Sequence, residues 1–193
     1  MYSALLTNAS FHELLLAFDR DLADSQRASG CACGGALHSG KYPRKPRGLP
    51  LELRRTLGPE HSQRFSFCCA IDGCRSRATP PSLRFLGRKV YHAAVVVLAA
   101  IMWQGVTEAR LQRLSGAITI DRGTLKRWQA WWRRALTATP FWRRARAQFM
   151  PPVDEAQIPA ALLERFAGNS LAERMIALLR FLAPITGGRV QAL

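Results

Sequence analysis

Cys31-Ala32-Cys33-Gly34-Gly35 and Cys68-Cys69-Ala70-Ile71-Asp72-Gly73-Cys74 hold all five cysteines of this 193-residue chain. Two short thiol clusters, each beside a glycine that permits a tight turn, are what a tetrahedral metal ion needs to join two turns. The simplest ligand set is Cys31, Cys33, Cys69 and Cys74, and the ion that suits it is zinc, Zn2+. Cys68 and Cys69 are adjacent, and neighbours on a strand point to opposite faces, so both do not serve one ion easily. The Cys69-x4-Cys74 spacing fits a second knuckle, which leaves Cys68 as a small buried hydrophobe. The first pair is C-x-C, one residue shorter than the usual minimum for such sites. His38 and His61 stand nearby as substitute nitrogen donors. A redox dithiol would call for C-x-x-C, which is missing.

Between the two clusters runs Lys41-Tyr42-Pro43-Arg44-Lys45-Pro46-Arg47-Gly48. Prolines stiffen it into an extended path from which Lys41, Arg44, Lys45 and Arg47 project, either as an arm for a nucleic-acid backbone or groove or as a solvated loop. The charge of the whole chain is uneven. Residues 30–150 carry 22 basic and five acidic side chains, residues 1–29 two and four, and residues 151–193 four of each. The middle of the chain is therefore suited to a polyanion, and double-stranded DNA is the default partner. Arginine supplies 24 of the 28 cations, which favours forked contacts to phosphate and guanine.

Beyond the cysteines the pattern turns helical. Phe11, Leu14, Leu15, Phe18 and Leu22 recur at helical spacing behind the capping box Ser10-Phe11-His12-Glu13, predicting a helix over 11–25. Arg64-Phe65-Ser66-Phe67 alternates like a strand, and Pro80-Pro81 closes the module. The apolar run 90–103 is too short for a membrane span and reads as a core helix. Segments 108–115 and 121–137 carry helix-turn-helix periodicity: Leu111 and Leu114 inward, Ser115-Gly116 at the stop, Asp121 as a cap, then Leu125, Trp128 and Trp132 inward. The connection is about three residues longer than the tight turn of that motif.

This leaves Arg122, Gly123, Thr124, Lys126 and Arg127 exposed, where a recognition helix meets base edges. Arg133, Arg134, Arg143, Arg144 and Arg146 read as phosphate contacts. Pro140 and Pro151-Pro152 read as breakers, and helices follow over 157–167 and 171–183, the second opened by Ser170-Leu171-Ala172-Glu173 and stopped by Pro184. Their balanced charge suits closing the core or forming a homodimer seam that would match a palindromic site.

The fold class expected is mainly α with a small β zinc ribbon. Its parts are an N-terminal helix (1–29), the ribbon with its basic insert (30–85), a helix-turn-helix bundle (86–150) and C-terminal helices (151–193). No secretory signal or membrane span is visible, which points to the cytoplasm and, with DNA as partner, the nucleoid.

Tyr42-Pro43-Arg44-Lys45-Pro46-Arg47-Gly48, Arg64-Phe65-Ser66-Phe67-Cys68-Cys69, Gly73-Cys74-Arg75-Ser76-Arg77 and Thr79-Pro80-Pro81-Ser82-Leu83-Arg84-Phe85-Leu86-Gly87-Arg88 together resemble zinc-ribbon plus helix-turn-helix proteins of bacterial insertion sequences and related mobile elements. The likeness covers roughly residues 10–150. It implies DNA binding at element ends or regulatory sites, with a separate transposase or recombinase as partner and the chemistry on another domain. Transcriptional regulation, or a protein-binding scaffold docking through the last helices, are the competing functions. The carboxylates Asp72, Asp121, Asp154 and Glu155 lie on no βαβ pattern that would gather them for two-metal chemistry, so no enzyme is expected.

Overall fold

The computed structural model describes residues 2–44, 47–86, 91–103 and 120–190. In chain order the elements are α1 (Tyr2–Thr7), α2 (Ala9–Ala28), β1 (Leu37–Ser39), β2 (Tyr42–Pro43), α3 (Leu51–Thr56), β3 (Gln63–Arg64), β4 (Phe67–Cys69), β5 (Arg77–Thr79), α4 (Ala93–Trp103), α5 (Arg122–Ala130), α6 (Pro140–Ala145), α7 (Ala160–Leu163), α8 (Leu171–Leu182) and β6 (Gly188–Val190). The chain is mainly α with a small antiparallel sheet. It separates into two units, each gathered from distant stretches. One comprises residues 8–47, 51–93 and 179–193; the other comprises 1–7, 48–50 and 94–178. The expected divisions at 29, 85 and 150 follow composition along the chain, whereas these units follow contacts.

The first unit, which holds the cysteines, carries a four-stranded sheet in the order β1-β4-β5-β6, with Leu37 opposite Cys69 and Phe67 opposite Ala78. Its core joins Leu16 and Ala23 of α2 to Leu37, Phe65, Phe67, Cys69 and Ala78, with Cys31 and Cys74 packed against them. Helix α2 is longer than the periodicity predicts and starts earlier. Its cap is Asn8, whose side-chain oxygen accepts from the Phe11 N–H at 3.0 Å, rather than Ser10. Leu14, expected inward, is 44% exposed, and His12 and Asp19 occupy the buried face instead. The stretch 64–67 does not alternate: all four side chains are buried.

Asp19 on that face is the centre of a buried polar network. Its Oδ1 accepts from the Leu83 N–H at 2.6 Å, and its Oδ2 accepts from Ser82 Oγ at 2.5 Å and Arg84 Nε at 2.8 Å. The remaining Arg84 nitrogens donate to the carbonyls of Glu60, His61 and Gln63 at 2.9–3.1 Å. Arg64 Nη2 donates to the carbonyls of Pro80 and Thr186. Both guanidiniums are at most 1% exposed. A buried charge is tolerated only when paired and saturated with hydrogen bonds, and Arg84 with Asp19 meets that condition.

In the other unit the apolar helix α4 is buried all round, Ala94 to Ala100 being at most 1% exposed, as the run 90–103 predicts. Asp121 caps α5, its carboxylate accepting from the Thr124 N–H at 2.8 Å, and Leu125, Trp128 and Trp132 are core. The helix continues as a π-turn segment over Trp131–Leu136. Pro140, expected as a breaker, opens α6 at its first position behind the Thr139 cap. A proline there gives up no hydrogen bond. The segment expected to be helical over 157–167 contains only the single turn α7, whereas α8 runs to Leu182 as expected. The first helix of the expected helix-turn-helix (108–115) with Leu111 and Leu114, the connection after Gly116, and Lys45, Gly87 and Arg88 lie outside the described residues.

Candidate metal centre

The sulfurs of Cys31, Cys33, Cys69 and Cys74 all lie within 4.8 Å of one another, the one group of potential metal ligands among the described residues. Cys31 Sγ is 3.8 Å from Cys74 Sγ, and Cys33 Sγ is 3.5 Å from Cys69 Sγ. Four sulfurs each about 2.3 Å from a single zinc ion stand roughly 3.8 Å apart at the corners of a tetrahedron. The cluster therefore has the size of a four-thiolate metal site, and the short C-x-C spacing does not exclude Cys31 from it.

Local backbone geometry explains the convergence. In the first knuckle Gly34 N donates to the Cys31 carbonyl and Cys31 N to the Gly35 carbonyl, both at 2.9 Å, while Gly34 takes φ +83°. Gly35 is required for a different reason. A Cβ there would stand 2.7 Å from Cys69 Sγ and 2.8 Å from Ile71 Cγ1, filling the cradle between the knuckles. The second knuckle turns at Gly73, φ +88°, and the Ile71 N–H points at Cys69 Sγ at 3.5 Å. Strand pairing of Leu37 with Cys69 then holds the two turns side by side.

The thiols are unequal. Hydrogen bonding to the Ser76 hydroxyl, 3.3 Å away, and to its backbone draws Cys74 down to about 6. For Cys69 the Ile71 N–H favours the thiolate, but burial and the three neighbouring thiols push it up to about 12. Four sulfurs this close cannot all ionise without a cation between them, which is the electrostatic reason such a cluster favours a divalent metal.

Cys68 takes no part. It faces away from the cluster as strand alternation requires, but it is half-buried rather than buried, with its Sγ 3.7 Å from the Arg75 carbonyl. Neither substitute donor reaches the sulfurs: His38 is exposed on β1, and His61 is buried with Nε2 3.2 Å from the His12 carbonyl.

The basic residues fall into three groups. The expected arm is folded down as β2 against β3, with Tyr42 opposite Arg64. Lys41 Nζ is bound to Glu60 Oε1 at 2.6 Å, and Arg44 is half-buried with its guanidinium over the Tyr42 and Phe85 rings. Of the arm's cations Lys41 and Arg47 are exposed, and of these two Lys41 is ion-paired. On α5, Arg122, Lys126 and Arg127 are exposed, but Thr124 is buried. Its hydroxyl donates to Asp121 Oδ2 at 2.5 Å and accepts from Arg127 Nη2 at 2.6 Å, so Thr124 serves the cap and is not available to a base edge. Arg133, Arg134, Arg143 and Arg144 are all exposed, and none is ion-paired among the described residues. Arg146 is paired with Glu155 at 3.2 Å, and the same carboxylate accepts from Trp142 Nε1 at 2.7 Å.

The sequence does not reveal the buried network of Asp19, Arg64 and Arg84, of which Arg64 and Arg84 figure only in the strand-like stretch and the resemblance motifs. Their signal is weak, because the partners of Asp19 lie more than 60 residues away. No family model, no curated protein and no solved structure matches this chain. Among the described residues no helix is long and apolar enough to cross a membrane.

Proposed function

We propose that this chain is a zinc-dependent, site-specific DNA-binding accessory protein of a mobile genetic element, recruited to element ends or regulatory DNA alongside a separate transposase or recombinase. The observation that carries the DNA reading is the run 122–146, eight cations without an acidic residue, every one of them exposed. Zinc bound by Cys31, Cys33, Cys69 and Cys74 fixes the knuckles as a ribbon. The Asp121-capped helix α5 presents Arg122, Lys126 and Arg127 to a major groove, as the second helix of a helix-turn-helix does. Arg133, Arg134, Arg143 and Arg144 neutralise phosphates, and Arg47 adds a cation from the ribbon side. The burial of Trp128 and Trp132 supports a core role for them and argues against base stacking. The link to a mobile element rests on the sequence resemblance alone.

The function is checked by footprinting the metal-loaded protein on DNA fragments from the genome flanking its gene, at two salt concentrations. A protected site that is lost in the Arg122→Ala, Arg127→Ala double variant, with the fold retained, is the expected result. Salt-sensitive binding with no protected site would reduce the function to non-specific DNA binding. Binding unchanged in the double variant would remove α5 from the interface.

A further inference from the structure

Beside the metal ligands lies a cavity of about 310 Å³, walled by Gly30, Cys31 and Ala32 of the first knuckle and by Leu37, Ser76 and Arg77. We propose that this cavity is a phosphate-binding subsite, with Arg77 as its cation and the Ser76 hydroxyl as its polar neighbour, for a backbone phosphate of bound nucleic acid. The assignment rests on the DNA-binding reading above and extends it to the metal knuckles.

Three observations single out this place. First, among the described residues no carboxylate lines the cavity, and the exposed Arg77 makes no ion pair. The nearby Arg75 differs, since its guanidinium is held by Asp72 at 2.6 Å. Second, another groove of this unit, about 350 Å³, also holds cations, but Glu60 in its wall already binds Arg20 and Lys41, and Asp24 is in the same wall. Of its three cations Arg20 and Lys41 are thus already paired, and an anion binding them would have to displace Glu60. Arg77 meets no bound carboxylate among the described residues.

Third, the cavity is built from the metal site itself. Cys31 forms part of its wall, Ser76 touches Cys74 Sγ at 3.3 Å, and the Cys69 N–H donates to the Ser76 carbonyl at 2.9 Å. Closing the knuckles on a metal thus fixes the spacing between the first turn and Arg77. Arginine suits this role because its planar fork reaches two phosphate oxygens at once.

The experiment titrates the full, zinc-loaded chain with a fluorescent duplex over a series of salt concentrations, comparing wild type with Arg77→Gln and Arg77→Lys. Zinc content and amide dispersion verify that each variant is folded. Arg77→Gln is expected to weaken binding roughly three- to tenfold and to lower the log–log salt slope by about one, and Arg77→Lys to keep most of that slope. Wild-type binding with a steep slope that Arg77→Gln leaves unchanged overturns the subsite and leaves the DNA reading in place. If the wild type binds no duplex, the DNA reading fails and a pyrophosphate titration at constant ionic strength decides the subsite. Shifts of the Ala32 and Ser76 amides that vanish in Arg77→Gln would then assign it to free phosphate compounds, and their absence in wild type overturns it.

Discussion

The cysteine-bearing unit and the helical unit use arginine in opposite ways. In the first, Arg64 and Arg84 are at most 1% exposed and tie strands and turns together through carbonyls and Asp19. In the second, Arg133, Arg134, Arg143 and Arg144 stand in solvent, while Trp128, Trp132, Leu136 and the apolar helix α4 are buried. The reason is backbone. Turns and short strands leave carbonyls that no ladder satisfies, and the two buried guanidiniums satisfy those of Glu60, His61, Gln63, Pro80 and Thr186. A net charge of +15 therefore overstates the surface available to a polyanion.

The largest expected effect tests the metal side of this contrast. Chelation, or Cys69→Ser, should abolish cooperative folding of the cysteine-bearing unit, because metal binding in such sites supplies about 10 kcal/mol or more. Loss of amide protection along β1, β4 and β5, with protection in α4 and α5 retained, is the pattern to observe by hydrogen exchange. Uniform retention would mean that the unit stands without its ion.

Next comes the buried pair. Arg84→Met or Asp19→Asn alone should each cost roughly 3–5 kcal/mol in chemical unfolding, since each strands an uncompensated buried group. Combining the two should cost less than their sum, and strict additivity would deny that they act as one unit.

Much of this architecture was legible in the sequence and some was not, for reasons of range. The grouping of Cys31, Cys33, Cys69 and Cys74 follows from short spacings, C-x-C and C-x4-C, and from glycines at the turns, because local backbone chemistry decides them. The Asp121 cap, the buried α4 and the core tryptophans are local in the same sense. The Asp19 network, the pairing of β2 with β3 and the capture of Lys41 by Glu60 depend on residues distant in the chain, so an arm of cations and a folded strand look alike in one dimension. Thr124 shows the same limit within one helix: its hydroxyl chooses Asp121 and Arg127 over solvent.

A smaller effect concerns His92, fully buried between His12 and Phe85, with neither ring nitrogen hydrogen-bonded among the described residues. Burial, followed by the neighbouring His12 and Arg84, holds it well below the ordinary histidine value of 6.5. The unfolded chain takes up the proton near that value and the folded chain does not, so stability should fall as pH drops below about 6.5. His92→Phe should leave stability at pH 8 within about 1 kcal/mol and flatten the acid limb above pH 5, measured with zinc content monitored throughout. An identical acid limb in the variant would remove His92 from the account.

The smallest effect belongs to Glu60, held down to about 2 by hydrogen bonds from Lys41 and then Arg20. Its contribution is present above the unfolded carboxyl value near 4.5 and is lost as pH falls toward 2. The side chain is 34% exposed, so solvent screening limits Glu60→Gln to less than about 1 kcal/mol at neutral pH. A loss of several kcal/mol would show that Lys41 and Arg20 depend on it far more than a surface pair should.

The most direct test of the central claim is the metal content of the purified full chain, with cobalt exchanged for zinc to read the ligand field. One zinc ion per folded chain, and a tetrahedral four-thiolate cobalt spectrum that disappears in Cys69→Ser but persists in Cys68→Ser, is the result expected. A folded chain that carries no metal, or a spectrum that depends on Cys68 instead, would contradict it.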